Sequence, residues 1–328
     1  MKAYVIERTG GPEVLQLQDV PAPQAGENEV KIRVKAFGLN RAELMLRAGN
    51  MGEITAPRIP GIEAVGEVME DASGVFRPGQ RVATLMGGMQ FNRGGSYAQE
   101  VCVLRSNVID LNDSNLSWEE LAALPEAWLT IWGALDKRLK IARGESLLIR
   151  GATSSVGLAA LLYAKNAGLS VIATTRSPQH TQHLYELGAD HVVVDNGNIA
   201  QEVRRFCPNG ADKALEIVGL SVVADTAAAL RPFGEICMIG MLDGMFSMDG
   251  FNPNRVLPDA VTLSFFGTTM LGTPGLPLTN TPLAQIARDV EQGRLPSLRV
   301  KTLTFDEVPQ AHCLMENSSV RGKLVVLV

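Results

Sequence analysis

The chain has 328 residues, which is long enough for two domains, and 30 basic against 35 acidic residues give a formal net charge of −5. A hydrophobic content of 46% is ordinary for a soluble protein, and without a dense Lys/Arg run we expect binding to neither nucleic acid nor an anionic membrane surface. The cysteines form no C-x-x-C pair, and no apolar stretch approaches the roughly 20 residues that span a bilayer.

These features predict a reduced, cytoplasmic protein without a disulfide framework or a structural zinc. The N-terminus MKAYVIERTGG reads as a short strand and not as a targeting segment. Cys102 and Cys237 stand in apolar, strand-like runs, so we expect buried thiols there.

Strand patterns dominate the chain as far as about Leu121. The apolar or alternating segments, separated by Gly and Pro, are MKAYVIE, EVKIRVKAFG, EAVGEVME, QRVATLM and YAQEVCVL. Strands at this spacing predict a compact, barrel-like all-β unit. The segment WEELAALPEAWLTIWGALDKRL then predicts helix, with an interruption near Pro125.

From Ser146 onward, strand patterns alternate with helix patterns. The strand segments are SLLIR, SVIATT, HVVVD, KALEIVG, GEICMIG and VTLSFFGT. Such alternation predicts right-handed crossovers and a parallel sheet that is covered on both faces. After Thr269, a Pro/Gly-rich stretch leads to a helix, a strand, a helix and a last strand, GKLVVLV.

The turn after SLLIR reads GATSSVG, with a serine where dinucleotide-binding turns usually have their middle glycine. Gly151 allows a tight turn, Gly157 allows the helix to lie close to the strand, and the Ser154 hydroxyl can donate to a phosphate oxygen. The alternative is a plain strand-to-helix connection. Because the turn joins a buried strand to an apolar helix, we predict a dinucleotide site. Its residues are Gly151, Thr153, Ser154, Ser155, Val156 and Gly157.

The end of the next strand predicts which dinucleotide is bound. Proteins that bind NAD place a carboxylate about 20 residues beyond the glycines, where it bonds the ribose 2′-OH. Here that distance falls on TTRS, which contains no carboxylate. Arg176 can hold a 2′-phosphate with two hydrogen bonds, and Thr175, Ser177 and His180 can assist. We therefore predict NADPH, against the alternative that Arg176 is a solvated strand-end residue.

Several segments together resemble the medium-chain dehydrogenase/reductase superfamily over essentially the whole chain, and most of all its zinc-independent quinone oxidoreductase (zeta-crystallin-like) branch. They are AFGLNRAELMLRAG, PGIEAVGEV, GGSYAQE, ALPEAWLTIWGAL, GATSSVGLAALLYAK, ELGADHVV and GKLVVLV. The resemblance implies an α/β fold of two domains. A GroES-like, β-rich catalytic domain covers residues 1–122, a Rossmann doubly wound parallel sheet that binds NADPH covers 123–268, and residues 269–328 return to the catalytic domain.

The zinc enzymes of this superfamily carry Cys in G-x-C-x-x-D, His in G-H-E, and a third ligand before an L-T pair. At these positions the present chain has Asn40, Ile62 and, by the same comparison, Glu126. Ile62 cannot coordinate a metal and Asn40 is a poor ligand, so we predict no catalytic metal. Glu63, which follows Ile62, is expected to be a paired charge.

The resemblance also indicates catalytic residues. It places Asn40 and Thr130 beside the nicotinamide ring and its ribose. Met45 stands where relatives often have Tyr, which leaves Tyr97 as the substitute proton donor, against the alternative of a structural tyrosine. The histidines His183, His191 and His312 are expected at the surface or at helix ends. Beside the nicotinamide half we expect Ile239, Gly240 and Met241.

Without a Lewis acid, such a site suits quinones and α,β-unsaturated carbonyls, which accept hydride readily. We therefore predict an NADPH-dependent quinone or enone reductase. Two alternatives stay open, namely an enoyl-thioester reductase of the same superfamily and an NADPH-binding protein with a structural or regulatory role. The segment VTLSFFGT is predicted to be an edge strand, through which a homodimer of the type found in the family would form.

Overall fold

The computed structural model describes residues 1–245, 247–258, 260–317, 320 and 322–328. The strands in these ranges are β1 (Lys2–Val5), β2 (Gln16–Asp19), β3 (Glu29–Gly38), β4 (Glu63–Asp71), β5 (Arg81–Leu85), β6 (Glu100–Leu104), β7 (Val108–Asp110), β8 (Ser146–Arg150), β9 (Ser170–Thr175), β10 (His191–Val194), β11 (Ala211–Glu216), β12 (Leu230–Met238), β13 (Thr262–Phe265), β14 (Val300–Thr304) and β15 (Lys323–Leu327). The α-helices are α1 (Arg41–Arg47), α2 (Trp118–Ala122), α3 (Pro125–Trp132), α4 (Ser155–Asn166), α5 (Thr181–Glu186), α6 (Ala200–Phe206), α7 (Val223–Ala228), α8 (Pro253–Val256), α9 (Leu283–Glu291) and α10 (Val308–Glu316).

The chain divides into two compact units. The first comprises Met1–Leu129 and Thr269–Val328, and the second comprises Thr130–Thr268. The predicted interruption near Pro125 is confirmed, because α2 ends at Ala122 and α3 begins at Pro125. Proline is well placed there, since the first helical position needs no backbone N–H.

A largely antiparallel sheet forms the framework of the first unit. Its strand order is β14-β15-β3-β4-β5-β7, and β6 also pairs with β3. The central strand β3 alternates as its sequence predicts, with Val30, Ile32 and Val34 buried in the core. Two strands of this sheet, β14 and β15, come from the C-terminal segment, and β15 lies directly beside β3.

The second unit is a parallel sheet in the order β10-β9-β8-β11-β12-β13. Counted from β8 as the first strand, this is the strand order of the doubly wound dinucleotide-binding fold, so the predicted fold is confirmed. The order reverses at β8, between β9 and β11. Ligands of such sheets bind outside the carboxyl ends of the strands at this reversal.

The last strand of the parallel sheet, β13, pairs with β12 and ends the sheet, which confirms the predicted edge strand. Its Phe265 side chain is 55% exposed. The predicted burial of the thiols of Cys102 and Cys237 is also confirmed.

Candidate active site

The two glycines of the GATSSVG turn are required by its geometry. Gly151 has a φ of +91°, in the left-handed region that favours glycine. A Cβ atom at Gly157 would lie 2.4 Å from the carbonyl oxygen of Gly151 and 2.7 Å from the Cα of Ala152. The turn therefore brings the first turn of α4 against the end of β8, and the structural roles predicted for both glycines are confirmed.

Ser154 caps helix α4, and this corrects the role that the sequence predicts for its hydroxyl. The hydroxyl donates to the carbonyl oxygen of Gly151 at 2.9 Å and accepts from the N–H of Gly157 at 3.1 Å. Because a serine hydroxyl has one proton, no proton is left for a phosphate oxygen. The serine replaces the middle glycine as an N-cap residue.

Backbone donors at the start of α4 fit a pyrophosphate. The N–H groups of Ser155 and Val156 belong to the first helical turn, where no intrahelical acceptor exists. The helix dipole adds partial positive charge at the same end. Thr153, half-buried in the turn, offers a hydroxyl beside them. These three residues and the two glycines form a cradle at the start of α4, and the close packing of Gly157 on Gly151 and Ala152 fixes the turn that carries it.

Strand β9 ends beside this cradle, because the Thr174 hydroxyl accepts from the N–H of Gly151 at 3.1 Å. The Thr175 hydroxyl donates to the carbonyl oxygen of Ser177 at 3.2 Å, so Thr175 shapes the turn and is not the phosphate donor that the sequence predicts. Arg176 is exposed, and no hydrogen bond to the described part of the chain holds its guanidinium. His180 is half-buried and ends the short 3-10 helix that follows.

A buried arginine, which the sequence analysis missed, holds the strand ends below the cradle. Arg150, the last residue of β8, donates from Nε and Nη2 to both carboxylate oxygens of Asp195, at 2.8 and 3.0 Å. Its Nη1 donates to Asp225 and Thr226, each at 2.9 Å. Burial raises the pKa of Glu216 nearby to about 7. An arginine directly after the apolar run SLLI is the signal that could have indicated this network.

The residues predicted beside the nicotinamide half follow β12 at the same edge of the sheet. The N–H of Ile239 donates to the carbonyl oxygen of Glu216 at 2.9 Å. A Cβ at Gly240 would lie 2.5 Å from the carbonyl oxygen of Ile217, so only glycine allows this approach. Met241 is half-buried. Thr130 is buried in α3, with its hydroxyl oxygen 3.1 Å from that of Thr268.

In the first unit, a group of buried charges surrounds Asn40, and we call it the lysine cluster: Asn40, Glu43, Glu63, Glu126 and Lys323. The Lys323 ammonium lies 2.5 Å from Asn40 Oδ1, 2.8 Å from Glu63 Oε1 and 3.3 Å from Glu126 Oε2. Asn40 caps α1, and its N–H donates to Glu43 Oε2 at 2.7 Å. All five side chains are buried.

The charges in the lysine cluster compensate one another. Burial would lower the pKa of Lys323, but the carboxylates of Glu63 and Glu126 outweigh it and raise the pKa above its usual value. Burial and the neighbouring Glu63 raise the pKa of Glu43 to about 8. At neutral pH, therefore, Lys323 is charged and Glu43 is largely protonated. The prediction that Glu63 is a paired charge is confirmed.

The lysine cluster lies where the zinc enzymes have their ligands. Asn40 and Glu126, at the first and third ligand positions, both contact the Lys323 ammonium. Ile62, at the second position, contributes its backbone N–H to Glu43 Oε1 at 3.1 Å. The motif GKLVVLV contains this lysine, but nothing in the sequence showed that the last strand would bring it to Asn40.

Tyr97 is fully buried, which favours the structural alternative over a catalytic role. Its hydroxyl oxygen lies 2.9 Å from His312 Nε2, and its ring stacks on Phe37. Arg47 Nε donates to His312 Nδ1 at 3.3 Å, so the imidazole proton resides on Nε2 and is donated to Tyr97. Because the Tyr97 side chain is 0% exposed, it is not placed to give a proton to a substrate.

The surface or helix-end position predicted for His312 is wrong, because this residue is buried within α10. Burial and the nearby Arg47 guanidinium lower the pKa of His312 to about 3. Val308, Ala311 and His312 are spaced as one face of a helix, and this periodicity could have predicted the burial.

The described residues contain no group of three or more His, Cys, Asp or Glu side chains arranged to hold a metal ion. Over the same residues, no helix has the length and apolar character needed to cross a bilayer.

A parallel sheet with the doubly wound strand order and a glycine-containing phosphate turn, in a chain whose other unit is β-rich, is typical of the dehydrogenase/reductase class. Two family models match in agreement with this: "Alcohol dehydrogenase GroES-like domain" over residues 26–113 and "Zinc-binding dehydrogenase" over residues 155–277. The chain belongs to the medium-chain dehydrogenase/reductase superfamily. The fold class predicted from the sequence is thereby confirmed.

Relatives and solved structures in this superfamily vary in their named roles. The rat (Rattus norvegicus) synaptic vesicle membrane protein VAT-1 homolog is 30% identical over 247 residues, which are 74% of this chain and 59% of that protein. A highly reducing polyketide synthase of Emericella nidulans, easB, is 26% identical over 94% of this chain, which spans only 12% of the synthase. The quinone oxidoreductase of Coxiella burnetii is 26% identical, with a TM-score of 0.80, and the match covers 100% of this chain and 99% of that one.

Proposed function

We propose that this protein is an NADPH-dependent oxidoreductase that reduces quinones or α,β-unsaturated carbonyls without a metal ion. The observation that carries the proposal is the Lys323 ammonium, which contacts Asn40 and Glu126 at two of the family's ligand positions. Ile62, at the second ligand position, has no side-chain donor atom. The likeness to a protein named quinone oxidoreductase supports the same substrate class.

The second unit holds the dinucleotide in this proposal. NADPH, when bound, supplies a hydride. The N–H groups of Ser155 and Val156 and the dipole of α4 bind the pyrophosphate, while Thr153 adds a hydroxyl. Arg176, assisted by Ser177 and His180, binds the 2′-phosphate, because its exposed guanidinium has no competing hydrogen bond in the described part of the chain.

The first unit sets the substrate class. The Lys323 ammonium has three protons, and all three are directed at oxygen atoms of the lysine cluster. It therefore offers no open position at which an alkoxide could bind, as a catalytic zinc does. Quinones and enones depend less on a Lewis acid, since the negative charge that develops on hydride addition is delocalised onto a distant oxygen. Because the Tyr97 hydroxyl is fully buried, we infer that the proton completing the reduction comes from water.

Steady-state assays test the substrate class. With NADPH as donor, we expect turnover of 1,4-benzoquinone and of an alkenal to exceed by far the oxidation of ethanol with NADP⁺. Protein purified without added metal should contain no stoichiometric zinc by elemental analysis. Ethanol turnover comparable with quinone turnover, or zinc that EDTA removes together with activity, would overturn the proposal.

A second candidate is reduction of an enoyl thioester, which the match to a highly reducing polyketide synthase over 94% of this chain favours. Adding crotonyl-CoA to the same panel decides between the two. A kcat/KM for the thioester far above the values for quinone and alkenal would favour this second function.

The assembly and organisation are also proposals. The exposed edge of β13, with Phe265 on it, supports a homodimer that continues the sheet, which light scattering of the purified protein tests. We further propose that the first unit is the catalytic domain and the second unit the NADPH-binding domain, so that the boundary expected after residue 122 falls after Leu129, and we propose a cytoplasmic location.

A further inference from the structure

Asn40 has both ends of its carboxamide fixed. Its Oδ1 accepts from the Lys323 ammonium at 2.5 Å, and its Nδ2 donates to Glu63 Oε1 at 3.0 Å. The two ends meet opposite charges, so turning the amide over would place the oxygen against a carboxylate and the NH₂ against an ammonium. The lysine cluster thus permits one orientation of this side chain.

Pairing with Glu63 alone does not account for a buried lysine at this place. A buried ion pair stabilises a fold little compared with apolar side chains of similar volume. Glu63 also has other partners, since its Oε2 accepts from the N–H of Glu126 at 2.7 Å and its Oε1 accepts from Asn40. The contact that depends on the lysine is the one to Asn40 Oδ1, which is also the shortest of the three made by the ammonium.

We propose that Lys323 is a positioning residue for the reaction, which fixes the carboxamide of Asn40 and supplies the permanent positive charge of this site. This proposal rests on the proposed function and on the position beside the nicotinamide that the family resemblance implies for Asn40. The Lys323 ammonium lies among the oxygen atoms of Asn40, Glu63 and Glu126. A side chain of the protein therefore provides the cation that these oxygen atoms surround.

A paired replacement separates positioning from ion pairing. Lys323→Met alone leaves unbalanced buried carboxylates and should lower the unfolding temperature strongly. Adding Glu63→Gln restores the charge balance, because one positive and one negative charge are then both removed. Most of the lost stability should return. If Lys323 positions Asn40, kcat with benzoquinone stays at least about tenfold low, the equivalent of one hydrogen bond to a charged group.

The matched control is another mostly buried lysine–glutamate pair, Lys213 and Glu235 on the neighbouring strands β11 and β12. Replacing it by Lys213→Met with Glu235→Gln should leave kcat and KM unchanged. A double replacement at Lys323 and Glu63 that recovers both stability and kcat would overturn the proposal, because the lysine would then be a counter-ion only.

A second comparison does not need the single variant Lys323→Met, because it uses Asn40→Ala and the double replacement at Lys323 and Glu63. Asn40→Ala leaves the lysine and its carboxylates in place and should reduce kcat by about the same factor as the double replacement. In the Asn40→Ala background, replacing Lys323 and Glu63 together should then cost no further kcat, since residues acting through one contact are not additive. Full additivity, or an unchanged kcat in Asn40→Ala, would contradict positioning through Asn40.

One readout does not depend on turnover. In protein labelled with ¹⁵N-asparagine, the side-chain amide of Asn40, assigned by its absence in Asn40→Ala, should exchange with solvent slowly. The exchange should accelerate in the double replacement at Lys323 and Glu63. Failure of every quinone and enone to react would refute the proposed function, whereas an Asn40 amide unaffected by the replacement would refute the positioning role.

Discussion

The serine at the middle position of the phosphate turn yields a sharp prediction, because its hydroxyl is already used. Ser154→Ala removes the cap to Gly157 and should cost about 1 kcal/mol of stability, while Ser154→Gly should cost only a few tenths. Neither change removes a phosphate contact, so the Kd for NADPH should rise by less than about threefold, which is below 1 kcal/mol. Urea unfolding and fluorescence titration with NADPH measure the two quantities.

Ser155→Ala is the matched control, since it deletes a serine hydroxyl one residue further along. No hydrogen bond to the described residues engages that hydroxyl, so its loss should leave stability unchanged. A loss of about 1.5–3 kcal/mol in the free energy of NADPH binding is the range for a hydrogen bond to a charged group. Such a loss in Ser154→Ala, with little loss of stability, would contradict the capping role. The serine would then be a phosphate donor and not a cap.

Two other predictions concern the cofactor and the buried histidine. Arg176→Asp should weaken NADPH by about 1.5–3 kcal/mol or more and NADH much less, and equal losses in fluorescence titrations would show that Arg176 does not discriminate. Since the pKa of His312 is about 3 in the folded protein and about 6.5 when unfolded, only the unfolded chain takes up its proton between these values. The buried, neutral His312 therefore makes its full contribution to the free energy of unfolding above pH 6.5. This contribution declines as the pH falls towards 3, by roughly 3 kcal/mol at pH 4.5. His312→Gln should remove this part of the pH dependence in urea unfolding, and identical pH profiles would contradict the assignment.

Much of the fold could be predicted because local pattern and tertiary structure agree. The alternation of Val30, Ile32 and Val34 gives β3, and the strand and helix patterns after Ser146 give the parallel sheet. The close approach at Gly157 is a local property of the turn and was therefore readable from the sequence.

The parts that could not be predicted depend on contacts between distant residues. Lys323 and Asn40 are 283 positions apart, and only the pairing of β15 with β3 brings them together. The role of the Ser154 hydroxyl could not be predicted, because a hydroxyl in a turn can donate to a backbone carbonyl or to a ligand, and the choice depends on where Gly151 places its oxygen. Tyr97 and His312 are 215 positions apart, and their contact in the core, where both side chains are fully buried, favours a structural role for the tyrosine.

The most direct test of the central claim is stopped-flow oxidation of bound NADPH by 1,4-benzoquinone, with protein treated with EDTA beforehand. If the lysine cluster replaces a metal, the fluorescence of bound NADPH should disappear in a single phase. The rate constant of this phase should saturate with quinone concentration and should equal the value measured without EDTA. Bound NADPH that persists in the presence of the quinone, or oxidation that occurs only after zinc is restored, would contradict the account.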